Sequence, residues 1–196
     1  MNLQDVLTRN QGSILTPELI VGILAATSPP DRTLVGRVPF DVEEYKGLTF
    51  RTVRMADVLP QLQVLHKAHW KETEGYRHGL AILPDYPRML QLERDGQFIV
   101  FGVFDANGKM LGNTACHVYT SLHTQTLAAK EDTLYLDQEI RKGFTAVRFF
   151  KYCEAQLVKL GVREITLDIK LTNDVGKVWE RQGYQFVSRV LTKVFA

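Results

Sequence analysis

A mixed α/β fold, a central sheet flanked by helices behind a helical N-terminal extension, is predicted by three observations. A short apolar strand, Thr133-Leu134-Tyr135-Leu136, runs through a glycine-bearing loop into a helix-spaced series of Ala146, Phe149, Phe150, Cys153, Leu157 and Leu160. Ile165, Leu167, Ile169 and Leu171 then alternate with Thr166, Asp168 and Lys170, the period of a half-buried strand. Upstream, the apolar runs Phe98–Phe104 and Met110–Tyr119 flank Asp105-Ala106-Asn107-Gly108-Lys109, where the Asn-Gly step signals a hairpin because both residues accept positive φ. Strands that both alternate with helices and pair as hairpins predict a mixed sheet.

Residues 1–47 read as a helix and a linker. Thr16 can cap, Pro17 suits the first helical position, and Glu18 favours the positive end of the helix. Leu19, Ile20, Ile23 and Leu24 form its apolar face, and Ser28-Pro29-Pro30-Asp31 stops it, since proline lacks the amide and restricts the residue before it. Residues 31–47 read as a linker pinned to the domain by Phe40 and Tyr45. The domain proper, 48–196, opens with a strand over Leu48–Arg54. A helix follows with Val58, Leu62 and Leu65 on one face and Asp57 near its start. A less regular stretch, 72–87, carries Gly75, Gly79, Pro84 and Pro87 and leads to a short helix over 88–93. After the hairpin come the strand, loop and helix at 133–160, which Gly161 ends, and the strand at 165–171. Thr172-Asn173-Asp174 caps a short helix that runs through Gln182 to Gly183, and a last strand runs from Tyr184 towards Phe195.

With 196 residues, 45% of them hydrophobic and 23% charged, the chain can bury one sizeable core. A net charge of +2 gives no electrostatic footprint for nucleic acid. Cys116 and Cys153 stand far apart in apolar surroundings and are expected to be free buried thiols in a reducing compartment; no Cys/His cluster has metal-ligand spacing. The longest apolar run, Leu19–Ala26, is broken by Gly22 and is too short to span a bilayer, and the N-terminus lacks the pattern of a signal peptide. A cytoplasmic protein is expected.

The strand, loop and helix at 133–160 have a specific chemical use. Amides at a helix N-terminus have no partners within the helix, and the helix dipole adds partial positive charge there. In Arg141-Lys142-Gly143-Phe144-Thr145-Ala146, Gly143 lets the backbone approach a bulky anion, Thr145 offers a hydroxyl, and Arg141 and Lys142 add charge at the rim. A pyrophosphate is the ligand such a loop suits, although a plain tight turn with exposed basic residues has the same sequence.

Over residues 48–196 the chain resembles the GNAT superfamily of N-acetyltransferases. In that family a central strand feeds a loop of the form Gln/Arg-x-x-Gly-x-Gly/Ala whose amides bind the pyrophosphate of CoA. Placing Gly143 on the central glycine puts Ile140 at the Gln/Arg position and Thr145 at the final small one; starting at Arg141 recovers Arg141 and Ala146 but puts Phe144 at the glycine. The family often carries an Asn near the start of a helix that ends in Tyr-x-x-x-Gly-Phe before the last strand. Asn173 and Trp179-Glu180-Arg181-Gln182-Gly183-Tyr184 stand there, with Trp179 in the tyrosine's place.

The resemblance implies transfer of an acetyl group from acetyl-CoA, as cosubstrate, to an amine of a protein or small molecule. It puts the cofactor against Arg141–Ala146, Asn173 and Trp179, an oxyanion-binding amide near Leu136, and a carboxylate base, Glu131 or Asp132, at the head of the strand before the loop. His117 is the next candidate, since a neutral imidazole relays protons near pH 7; it shares a strand face with Tyr119, and His123 follows. His66, His69 and Trp70, with Tyr76, Arg77 and His78, stand where the family shapes its acceptor site. Trp179 is expected to pack rather than protonate the leaving thiolate, because indole donates a hydrogen bond but no proton. The rival expectation is an idle GNAT-like fold used for binding or assembly, as in proteins of tailed-phage virions. Residues 1–47 would then be the arm for a homo-oligomer or assembly partner. Neither reading calls for a membrane.

Overall fold

The computed structural model describes residues 8–14, 16–17, 19–20, 23, 32–73, 75, 81–170 and 175–193. The chain divides into two units, Met1–Asp31 and Arg32–Ala196. In the first, Thr16 acts as the expected cap: its Oγ1 accepts from the Leu19 amide at 3.2 Å, and its carbonyl accepts from the Ile20 amide at 2.9 Å. Glu18, Leu24 and the stop at Ser28–Asp31 lie outside the described residues.

The second unit is built on one six-stranded sheet in sequence order: β1 (Val42–Tyr45), β2 (Leu48–Val53), β3 (Phe98–Phe104), β4 (Met110–Thr120), β5 (Leu127–Leu136) and β6 (Val162–Thr166). Neighbours are antiparallel as far as β5, and β5 pairs with β6 in parallel. Helices α1 (Met55–Thr73) and α2 (Tyr86–Arg94) follow β2; α3 (Thr145–Lys159) joins β5 to β6, and α4 (Gly176–Glu180) follows β6. The mixed sheet flanked by helices is thus as expected. β3 is buried along its whole length and divides the core in two. Phe50, Ile99, Phe101, Phe149, Tyr152, Cys153 and Leu157 fill the α3 side. Met55, Val58, Leu62, Leu65, Phe98, Val100, Phe104 and Tyr135 fill the α1 side.

Several elements differ from expectation. The segment read as a linker contains β1, which pairs with β2 through the turn Lys46-Gly47, both residues at positive φ. The β3–β4 turn is closed by Asp105, whose Oδ1 accepts from the amides of Asn107 (2.8 Å) and Lys109 (2.9 Å). Only Gly108 has positive φ there, so an Asx turn, not a two-residue Asn-Gly turn, makes the hairpin. β5 begins six residues before the expected Thr133, because Ser121–Thr126 folds into a tight turn that returns the chain at once along β4. β6 stops at Thr166, leaving Leu167–Lys170 outside the ladder. Residues 184–193 form no strand: the Tyr184 amide bonds back to the Trp179 carbonyl at 3.1 Å, and Phe186, Val187, Val190 and Leu191 beyond it are exposed. Their β-propensity suggested a strand, but without a ladder partner propensity alone does not make one. No described helix is long and apolar enough to cross a membrane.

Candidate active site

β5 and β6 pair only from Leu127↔Val162 to Lys130↔Thr166. Beyond that point β5 continues for six residues while the chain after β6 diverges, so the sheet splits. A cavity of about 820 Å³ fills the gap, with Glu131–Leu136 on one wall and Leu167–Lys170 on the other. Its lining comes from both faces of the sheet: His66, His69, Trp70 and Glu72 of α1 on one, Ala146 and Val147 of α3 with Val178 and Trp179 of α4 on the other. Such a volume suits an organic ligand.

Glu131 and Asp132, expected at the head of a strand, lie in its middle, and both line the cavity. Ala115 faces Thr133 and Cys116 faces Glu131, so Asp132 is the extra residue of a β-bulge. Burial pushes the Glu131 carboxyl up to about 7. A hydrogen bond from the Asp168 backbone opposes that rise, the charges of Asp132 and Asp168 add to it, and Lys170 opposes it. The carboxylate of Asp132 lies 3.5 Å from His117 Nε2. His117 is half-exposed with its ring edge against Phe98 and is not on the cavity wall; nor are Tyr119 and His123. His66 is buried, stacks on Tyr86 at 5.8 Å, and has Nδ1 3.3 Å from the Tyr86 hydroxyl. Burial, helped by the charge of His69 and opposed by Asp132, lowers its pKa and disfavours the charged ring. Tyr76, Arg77, His78 and Asn173 lie outside the described residues.

At the far end of β5 the Asp137 amide donates to the Leu111 carbonyl at 2.7 Å. Bonded residues alternate along an antiparallel ladder, so Leu136 and Leu134 turn their N–H and C=O groups away from β4 and into the gap. The Leu136 carbonyl accepts from Arg141 Nε at 2.6 Å. The same guanidinium grips Glu72 of α1 in a bidentate pair (2.5 and 2.7 Å) and lies over the Tyr135 ring at 5.1 Å. Arg141, expected to be a charge at the loop rim, is therefore committed to Glu72 and to the backbone. Thr145, expected to offer its hydroxyl outward, is buried and donates it to the Lys142 carbonyl at 3.2 Å.

What remains at the head of α3 is backbone. Phe144 occupies the N-cap and its side chain makes no capping hydrogen bond to the first-turn amides. Gly143 has φ +70, and a Cβ there would meet only Lys46 Nζ, at 3.8 Å. Lys142, Gly143 and Phe144 are exposed, and Gly143 and Ala146 line the cavity. Lys46, from the β1–β2 turn, is a basic neighbour that sequence reasoning missed, because its strand looked like linker. Trp179 is buried, lines the cavity, and packs its ring 4.7 Å from Phe150. Among the described residues no group of three or more His, Cys, Asp or Glu side chains could hold a metal ion.

A sheet split beside a glycine loop and helix N-terminus defines the class: the fold is that of the GNAT acetyltransferases. No protein-family model matches the chain, and no curated protein matches it in sequence. Among solved structures it is similar to an aminoglycoside acetyltransferase from an uncultured soil metagenomic sample, crystallised with trehalose. That likeness has a TM-score of 0.60 at 15% identity and covers 79% of this chain and 98% of that one. It is also similar to a ribosomal-protein-alanine N-acetyltransferase from Brucella melitensis biovar Abortus (TM-score 0.60, 13% identity, 76% and 97% covered). A GNAT family acetyltransferase from Staphylococcus aureus matches with a TM-score of 0.57 at 16% identity, with 76% and 99% covered.

Proposed function

We propose that the chain is an acyl-CoA-dependent N-acyltransferase that moves an acetyl group from acetyl-CoA to an amine. The observation that carries this is the cavity through the split sheet, with the near-neutral Glu131 on its wall and the α3 N-terminus at its rim. The residues present fit the cosubstrate. The open backbone over Gly143, with Lys46 and Lys142 beside it, suits a pyrophosphate, and the gap between β5 and β6 suits an extended thioester arm. Acetyl-CoA would supply the activated acyl group, its carbon–sulfur bond breaking as the carbon–nitrogen bond forms and CoA leaving as the thiolate.

An amine must lose its proton to attack, and Glu131 accepts it, directly or through a water, with a proton affinity matched to neutral pH. The carbonyl oxygen that becomes negative finds a donor in an amide that β5 leaves free of β4, with Leu136 and Leu134 the two available. Asp132, held by the bulge beside His117, orients the amine from the α1 side. Trp179 packs against the cofactor arm and holds α4 in place. The test is calorimetric titration with acetyl-CoA, followed by an assay for CoA release in the presence of amines. No heat at millimolar acetyl-CoA would remove this reading. It would favour the rival, an idle fold used for assembly, to which the exposed Phe186, Val187, Val190 and Leu191 lend support.

A further inference from the structure

Tyr184 fastens the chain beyond α4 to the domain. Its hydroxyl donates to Glu154 Oε1 at 2.6 Å, and its ring meets those of Phe150 and Trp179 edge-on at 6.1 and 6.2 Å. Past that anchor, Phe186, Val187, Val190 and Leu191 are 65%, 83%, 72% and 97% exposed. Residues 185–192 contain no glycine or proline, and they carry apolar side chains on both faces of an extended chain: Phe186 and Val190 on one, Val187 and Leu191 on the other. A strand at a wet surface needs one apolar face, whereas a strand apolar on both belongs inside a sheet. The same chain offers a place for it. β6 ends the described sheet with only β5 beside it, so its other edge presents N–H and C=O groups without a ladder partner. α3 lies against β6 and covers one face of the sheet there. Yet arm and edge are not joined within the chain, since residues 185–192 pair with no described strand.

We propose that two copies of this chain exchange these arms, each laying residues 185–192 as a strand along the free edge of β6 in the other. A second copy is the occupant because it supplies both halves of the match. Donor strand and acceptor edge lie on one chain, so a two-fold arrangement satisfies both at once and leaves no edge open to a third copy. The size agrees. At the surface per dalton of an unfolded chain, eight extended residues expose roughly 1,300 Å². Burying half of each arm, with an equal area of the edge that receives it, covers roughly 2,600 Å² for the pair, above the about 1,600 Å² of a standard stable interface. This pairing does not depend on whether the chain transfers acyl groups.

Size-exclusion chromatography with light scattering on the full chain should give a dimer. The variant Val187→Lys with Leu191→Lys should weaken it by at least about tenfold, because each arm would then carry two unpaired charges into a sheet. Cross-linking reads the exchange directly. Glu164→Cys marks the middle of β6 and Ser188→Cys the middle of the arm, both exposed positions, while Cys116 and Cys153 are buried. The two variants, made separately, mixed, re-equilibrated and treated with a short bismaleimide, should give a covalent dimer holding one copy of each, identified by mass spectrometry. This measurement decides the matter even if the lysine variant does not fold. A native chain that stays monomeric at about 100 µM overturns the proposal, as does a dimer that the lysine variant leaves unchanged. So does a link that forms within one chain carrying both cysteines but never between the two single variants, since the arm then lies on its own β6.

Discussion

Replacing Glu131 with Gln should separate what this carboxyl does in chemistry from what it does to the fold. Its proton affinity in the folded chain corresponds to a pKa of about 7, against 4.5 for an ordinary glutamate. The folded state thus holds the proton more tightly than the unfolded one between those values, and stability falls as pH rises from about 4.5 to about 7, then levels off. At about 1.4 kcal/mol for each tenfold difference in proton affinity, the full penalty above pH 7 is roughly 3 kcal/mol, an upper bound because the side chain keeps some contact with solvent. Glu131→Gln should remove that penalty, so its stabilising effect in urea denaturation should be larger at pH 8 than at pH 5. In the transfer assay the native chain should gain about tenfold in kcat/KM between pH 6 and pH 8, as a base with a pKa near 7 loses its proton. The Gln variant should be slower by about a hundredfold or more and lose that dependence. A folded variant whose gain in stability over the native chain is no larger at pH 8 than at pH 5, and whose rate is unchanged, would refute both the burial argument and the assignment of the base.

Other outcomes follow from the same geometry. Trp179→Phe should cost on the order of 1–2 kcal/mol in chemical denaturation, because its ring fills space against Phe150, yet leave turnover within about tenfold, since no proton transfer is lost. A rate lost by orders of magnitude in a folded variant would give the indole a chemical role. Gly143→Ala should weaken acetyl-CoA binding in calorimetry and cost about 1 kcal/mol of stability, because φ +70 strains any side chain while the space above it is open. Unchanged affinity would move the pyrophosphate elsewhere. Lys46→Ala should weaken acetyl-CoA binding several-fold at low salt and less at high salt, as expected for a partly exposed cation acting on a phosphate; a salt-independent loss would point to packing instead.

The parts of this molecule legible in its sequence are those where one face is buried and the other is not. α1 and α3 show their apolar spacing because each lies on the sheet by a single stripe, and the Gly143 loop shows as a break between two such patterns. β1 did not show: its burial alternates only between exposed and half-buried, and Glu43 and Glu44 sit in its middle. The start of β5 was hidden because Ala128-Ala129-Lys130 carries no alternation. Phe186, Val187, Val190 and Leu191 misled in the other direction, having the side chains of a strand and no ladder to join. In the site, Glu131 and Asp132 were named together from the resemblance, and both lie on the cavity wall. The commitment of Arg141 to Glu72 was not legible, because the partners lie 69 residues apart and only the packing of α1 against the sheet brings them together.

The bulge at Asp132 gives the cavity an origin that can be counted. Before it, β5 pairs with β6 from Ala128↔Glu164 to Lys130↔Thr166; after it, the pairing has ended, and the extra residue lies within two positions of the last paired one, Lys130. A bulged strand bends and twists more than its neighbour can follow, so one inserted residue is enough to steer β5 away from β6. Deleting Asp132 would therefore do more than remove a carboxylate. It would restore the parity of the β4–β5 ladder and let the two parallel strands continue side by side. The amides of Leu134 and Leu136 would then be spent on ordinary sheet bonds instead of facing the cavity. On this view the space for chemistry in this fold is written as a miscount between adjacent strands.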